Sequence, residues 1–144
     1  MRSNWVRATA LAIVSTAILG CSETATEPRH TDVDLARSVW LTSRPQAYSF
    51  EVATASSWFP SAGYYRVHVS NGQATAATDP TGKPVANFTL TIDTIWDYVL
   101  AARARGELNS AVFNQRGIPV EADMGPWAVD GGVRYSVRNF TEGD

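Results

Sequence analysis

The sequence holds one cysteine, Cys21, and two histidines, His30 and His68, in 144 residues. A disulfide within the chain is therefore excluded. So is a histidine-rich zinc site or a cysteine–histidine nucleophile pair, because the part that reads as folded keeps only His68. There is no G-x-S-x-G, no phosphate loop, no glycine-rich dinucleotide fingerprint and no D-x-D-x-D-G calcium loop. No apolar run reaches the roughly 18 to 20 residues of a membrane-spanning helix. A surplus of positive charge is missing as well, the formal net charge being −2, which argues against a nucleic-acid partner. The expectation is a protein that is not an enzyme and uses no metal or cofactor.

What is present begins with the first twenty residues. Arg2 and Arg7 form a positive start, and Ala8 to Leu19 is an apolar run of signal-peptide length. It ends in Ile18-Leu19-Gly20-Cys21, which resembles the lipobox of bacterial lipoproteins: cleavage before Cys21 leaves it as a diacylated N-terminus. Leu19 is bulkier than the usual residue there. Cleavage removes Arg2 and Arg7, leaving ten basic against fourteen acidic residues. Residues 1–20 are thus expected to be a signal peptide, with Cys21 the lipidation site. Ser22, rather than aspartate, after Cys21 favours the periplasmic face of the outer membrane by enterobacterial sorting habits. Residues 22–31 are polar and lack an apolar period, so residues 21–31 read as a lipidated tether. A coil of that length spans roughly 20 Å. Length alone allows one domain, residues 32–144.

The stretch Thr91 to Gly106 organises that domain. Ile92, Ile95, Trp96, Val99 and Leu100 recur at helical spacing and make one apolar stripe. Thr91 stands at the N-cap, Asp93 and Asp97 near the positive end of the helix dipole, Arg103 and Arg105 near the negative end, and Gly106 at the stop. A shorter helix is expected after Asp32, with Val33, Ala36, Val39 and Trp40 on one side and Pro45 ending it. Period-two alternation marks strands at 47–53, 64–70, 73–77, 110–113, 118–123 and 133–140. Asn71-Gly72 is a hairpin turn, and Gln115-Arg116-Gly117 joins the next pair. Pro119 favours an edge or a strand start. The fold class is α+β: a single domain in α-β-β-β-α-β-β-β order, with an antiparallel sheet of about six strands and two helices on one face.

Trp40, Tyr48, Val69, Asn71-Gly72, Thr91-Ile92-Asp93 with Trp96, Gly117-Ile118-Pro119 with Asp123, Asp130 and Tyr135 share an order and spacing. Together they resemble a bacterial family known as domain of unknown function 6174, over nearly the whole of the domain. The resemblance implies a secreted or lipid-anchored module and adds no catalytic residue. In many relatives of that family cysteines lie between the first two strands. This chain has Ala55-Ser56-Ser57-Trp58-Phe59-Pro60 there, so no redox or metal role carries over.

Candidate sites are few. Asp93, Asp123 and Asp130 are the acids whose convergence would make an acid group or calcium site, although Asp93 already has a structural role at a helix start. Trp58-Phe59-Pro60 and Pro126-Trp127 put large aromatics on irregular connections, where they either fold back over the sheet ends or form a partner patch. Tyr64, Arg66 and His68 share the polar face of a strand. The candidate binding patch is therefore Trp58, Phe59, Trp127, Tyr64, Arg66 and His68. The expected function is a non-catalytic envelope lipoprotein that binds or scaffolds an envelope protein, held at the membrane by its lipid. The alternative is an inhibitor or regulator of an envelope hydrolase, similar in coarse topology to PepSY and β-lactamase-inhibitor-like modules. Ligand and oligomeric state are not written in the sequence.

Overall fold

Side-chain caps decide where the two helices begin. The computed structural model describes residues 29–56, 62–126 and 131–143. Asp32 accepts a hydrogen bond from the Leu35 amide at 2.9 Å and starts α1, Val33–Ser43. Thr91 starts α2, Ile92–Ala104, through a reciprocal box. Its hydroxyl accepts from the Thr94 amide at 3.2 Å while the Thr94 hydroxyl accepts from the Thr91 amide at 2.6 Å. Threonine here does what glutamate or glutamine usually does at that position. Gly106, at φ +70°, takes the left-handed stop that the sequence calls for.

The strands are β1 (Arg29–His30), β2 (Ala47–Ser56), β3 (Tyr65–Ser70), β4 (Gln73–Thr78), β5 (Leu108–Asn114), β6 (Pro119–Met124) and β7 (Val133–Glu142). They form one sheet in the order β1-β5-β6-β7-β2-β3-β4, antiparallel at every pairing. The six longer strands and two helices follow the expected α-β-β-β-α-β-β-β order. β1 is an addition: Arg29 and His30, at the end of the stretch read as a tether, pair with Asn114 and Phe113. Each helix precedes a three-stranded meander, and β7 joins β2 to make the two meanders one sheet. Pro119 begins β6, an interior strand, where its missing N–H costs no ladder bond at the strand's start.

Alternation sorts the side chains. Tyr48, Phe50 and Val52 of β2, Val67 and Val69 of β3, Ala122 and Met124 of β6 and Val137 of β7 are buried beneath the helices. From α2 come Ile92, Ile95, Trp96, Val99 and Ala102, all buried. Ala102 joins the stripe, whereas Leu100 is only half-buried. α1 contributes Ala36 and Trp40. Trp96 lies at the centre, its ring stacked on Phe113 with centroids 4.9 Å apart and its indole N–H donating to the Gly117 carbonyl at 3.1 Å. Trp40 donates to Asp93 at 3.0 Å, which ties the first helix to the start of the second.

Register slips between β3 and β4, twice between β5 and β6, and between β2 and β7; the slip in β7 reaches the core. Ser49 pairs with Thr141 but Glu51 pairs with Arg138, so β7 carries one extra residue. Asn139 absorbs it at φ +51°, a conformation that asparagine tolerates better than most residues. The bulge turns Phe140 towards the core side, 5.3 Å from Tyr48 and 6.1 Å from Trp40.

Candidate functional site

The face of the sheet opposite the helices is covered by no other element among the described residues. Its side chains are those that alternation turns away from the core: Glu51 of β2, Arg66 and His68 of β3, Glu121 and Asp123 of β6, Arg134 and Arg138 of β7. Neighbouring strands bring opposite charges side by side. Glu51 is the centre of the densest group. Its carboxylate accepts from Arg66 at 2.9 Å, from Arg138 at 2.9 Å and from the Asn139 side-chain Nδ2 at 3.0 Å. The Glu51 side chain is only 12% exposed, against 63% for Arg66 and 54% for Arg138. One carboxylate thus holds two guanidinium groups from the strands on either side of it.

Tyr64, just ahead of β3, lies under the Arg138 guanidinium at 3.6 Å, a cation–π contact that fixes the arginine's plane. Thr78, Asp79, Pro80 and Gly82 raise a rim beside it, enclosing a shallow depression of about 350 Å³. The rim is pre-shaped, because one Asp79 oxygen accepts from the Thr81 amide, the Thr81 hydroxyl and the Lys83 amide. These bonds to the charged form hold the Asp79 carboxyl below its ordinary value. Tyr64 and Arg66 are thus brought together, with Glu51 and Arg138 as partners that the strand pattern alone did not single out. His68 lies two residues further along β3 and outside the depression's lining. Trp58, Phe59, Trp127 and Cys21 lie outside the described residues, as does Asp130.

Asp93 and Asp123 do not converge. Asp93 faces Trp40 and Arg44 on the helix side, while Asp123 is on the open face bonded to Arg134 at 2.5 Å. Among the described residues no three of His, Cys, Asp and Glu meet to hold a metal, and no helix is long and apolar enough to cross a membrane.

A family model described as a family of unknown function, DUF6174, matches residues 32–142. The chain belongs to that family. No curated protein and no solved structure matches it. The match coincides with the α+β domain from the α1 cap to the end of β7, so this DUF6174 domain comprises both helices and the six long strands.

A second, more apolar depression of about 410 Å³ opens between α2 and the β6–β7 end, with Tyr98, Met124, Val133 and Tyr135 in its wall. Tyr98 and Tyr135 stack there at 5.9 Å. Burial, with Tyr98 adding to it, pushes the Tyr135 hydroxyl up to about 12. Tyr98 is 49% exposed. Its position on α2, one turn before Ala102, carried no sequence signal beyond an aromatic off the apolar stripe.

The Glu51 group gives the DUF6174 domain a pH dependence with a definite sign. Hydrogen bonds from Arg66 first, then Arg138, hold the Glu51 carboxyl below its ordinary value of 4.5. A carboxyl depressed on folding stabilises the folded state fully above its unfolded pKa, and that contribution is lost as pH falls through the folded pKa. Wild type should therefore lose melting temperature below pH 4.5 more steeply than Glu51→Gln. Thermal melts of both proteins between pH 3 and pH 7 check it: parallel curves would remove Glu51 from the linkage.

Proposed function

We propose that this DUF6174 protein is a non-catalytic lipoprotein of the bacterial envelope, held to the membrane through Cys21, which binds or scaffolds another envelope protein through the open face of its sheet. The observation that carries the binding half is the group at Glu51: a face that no other element covers among the described residues, on which Tyr64, Arg66 and Arg138 are already held in place. Preorganised aromatic and arginine side chains favour association, since little conformational freedom remains to be lost on docking. The anchor half rests on the apolar run ending at Gly20-Cys21. The fold fits both halves. Arg29 pairs with Asn114 at the β5–β6 turn, so the chain departs towards Cys21 from that end of the sheet. Ser56 pairs with Val133 at the other end, bringing the strand ends that lead to the Trp58 and Trp127 segments side by side. An anchored domain would present that second end away from the membrane.

Two measurements test the reading. Cys21→Ser should abolish incorporation of a fatty-acid analogue, because acyl chains supply the anchor, and equal labelling of mutant and wild type would end the lipoprotein claim. Tyr64→Ala with Arg66→Ala should lower partner capture from membranes at least tenfold while the melt moves by no more than about 1 kcal/mol, since Arg66 is exposed and the half-buried Tyr64 is not part of the hydrophobic core. Undiminished capture would remove the open face from the site. The same face would serve a regulator of an envelope hydrolase. In that case the captured partner is a hydrolase whose activity falls when the protein is added.

A further inference from the structure

β6 and β7 pair only from Glu121–Ser136 to Met124–Val133. β7 runs on to Glu142 while β6 begins at Pro119, so on this side the Val137–Glu142 edge has no strand partner among the described residues. The reasons are local. Pro119 has no N–H to give a ladder, and the bulge at Asn139 bends β7 away. Between the two strands the sheet opens into a cleft of about 560 Å³. Val120, Val137 and Phe140 lie on its core side, Arg138 and Thr141 on its open side, and the Arg116–Glu142 ion pair spans its end.

The size suits a strand. In a packed sheet a residue takes roughly 3.3 Å along the chain, 4.8 Å across and 10 Å in depth, about 160 Å³, so the cleft accommodates roughly three to four extended residues. The two outer edges of the sheet are less inviting. β4 is bulged against β3 and bridged by Pro84, and β5 is capped by β1 and shifts register twice; both devices blunt an edge. The charge around the cleft also has a sign. Arg116 and Arg138 line it against the single carboxylate Glu142, and Glu51, the other carboxylate near Arg138, is already shared with Arg66. This is a positive spot on a chain of net charge −2.

The geometry points to a peptide-binding cleft between β6 and β7 that takes an extended, acidic segment of a partner protein as an added strand along Val137–Glu142. Alternate backbone groups of β7 supply hydrogen bonds. One side chain of the segment drops onto Val120, Val137 and Phe140, beside the Arg116 guanidinium 5.7 Å from the Phe140 ring, and its neighbours point out beside Arg138. This rests on the reading of the domain as a binding module but on neither the lipid anchor nor the Tyr64 face, so it can fail while both stand.

The test uses the full chain in detergent and two synthetic heptapeptides, one alternating valine with glutamate and one alternating valine with lysine. Amide hydrogen exchange should show the glutamate peptide slowing exchange within Val137–Glu142 at least tenfold, with the lysine peptide weaker by at least tenfold. N-methylation of the glutamate peptide's central residues should abolish the protection. Arg116→Glu, at an exposed position, should reverse the order of the two peptides, which a merely structural role for Arg116 would not do. Several results would overturn the proposal: equal binding of the N-methylated peptide, protection at β4 or β5 instead, or no protection with the glutamate peptide at millimolar concentration. Protection present without peptide would do so as well. If it rose with protein concentration it would assign the cleft to a second copy, and if it did not, to the chain's own N-terminal segment.

Discussion

Gly117→Ala should destabilise the domain by about 3–5 kcal/mol, well beyond an ordinary turn substitution. Gly117 sits in the β5–β6 turn at φ +71°, and a Cβ built on it would lie 2.1 Å from the Ala36 carbonyl oxygen and 2.8 Å from the Trp40 amide nitrogen. Those atoms are α1 backbone, which no rotamer change can move aside. The left-handed conformation alone costs an alanine about 1–2 kcal/mol; the rest is the displacement of α1 from the sheet. Gly72→Ala is the control. Gly72 has φ +76° with nothing within 4 Å of an added Cβ, so it should show only the conformational cost. Denaturant melts of the two variants measure the difference. Equal losses would mean that α1 is not seated on the turn.

That contact shows where the sequence is informative. Gly117 was readable as a turn residue because Gln115-Arg116-Gly117 separates two alternating runs. Its second role was not, because the seating of a helix on a turn some eighty residues later leaves no local pattern. The caps at Asp32 and Thr91, the stop at Gly106 and the inward sets of β2, β3 and the first half of β7 follow from short-range rules, and these the sequence shows plainly. Phe140 does not follow them. Period two turns it outward, and only the extra residue at Asn139 turns it in, the sole hint being an asparagine inside a strand. β1 was illegible for another reason: two polar residues carry no periodicity, and their pairing is decided by the open edge of β5.

The candidate site divides along the same line. Alternation put Tyr64, Arg66 and His68 on the outward side of β3, and Tyr64 and Arg66 do meet. Their partners Glu51 and Arg138 come from β2 and β7, and naming them requires knowing that β7 lies beside β2. That adjacency joins the last strand to the first long one, a pairing that sequential order does not suggest. The β6–β7 cleft is likewise a matter of register: it exists because pairing stops at Glu121, which Pro119 hints at and the bulge completes.

Trp96→Ala should remove most of the stability that the domain has. The side chain is fully buried, and truncating a buried tryptophan costs about 3–5 kcal/mol through lost transfer energy and the cavity left behind. Here the cavity would open beneath Phe113, now stacked on the indole with the two rings 4° from parallel, and beneath the Arg37 guanidinium 5.4 Å away. The Gly117 carbonyl would also lose its indole donor, and an unpaired buried acceptor costs a further 1–3 kcal/mol or so. A domain with about 5–15 kcal/mol in total has little left after that. Trp96→Phe separates the two contributions, keeping most of the apolar contact while removing the N–H. Because the acceptor belongs to Gly117, Trp96→Phe and Gly117→Ala should not add. Once alanine has displaced the turn, the indole has less to lose, and the double mutant should be more stable than the sum of the single losses implies. Denaturant melts of the four proteins in that cycle, with Trp96→Ala beside them, decide the matter. Strict additivity, or a Trp96→Ala loss under about 1 kcal/mol, would show that the indole and the turn are not the joint on which α1, α2 and β5 meet.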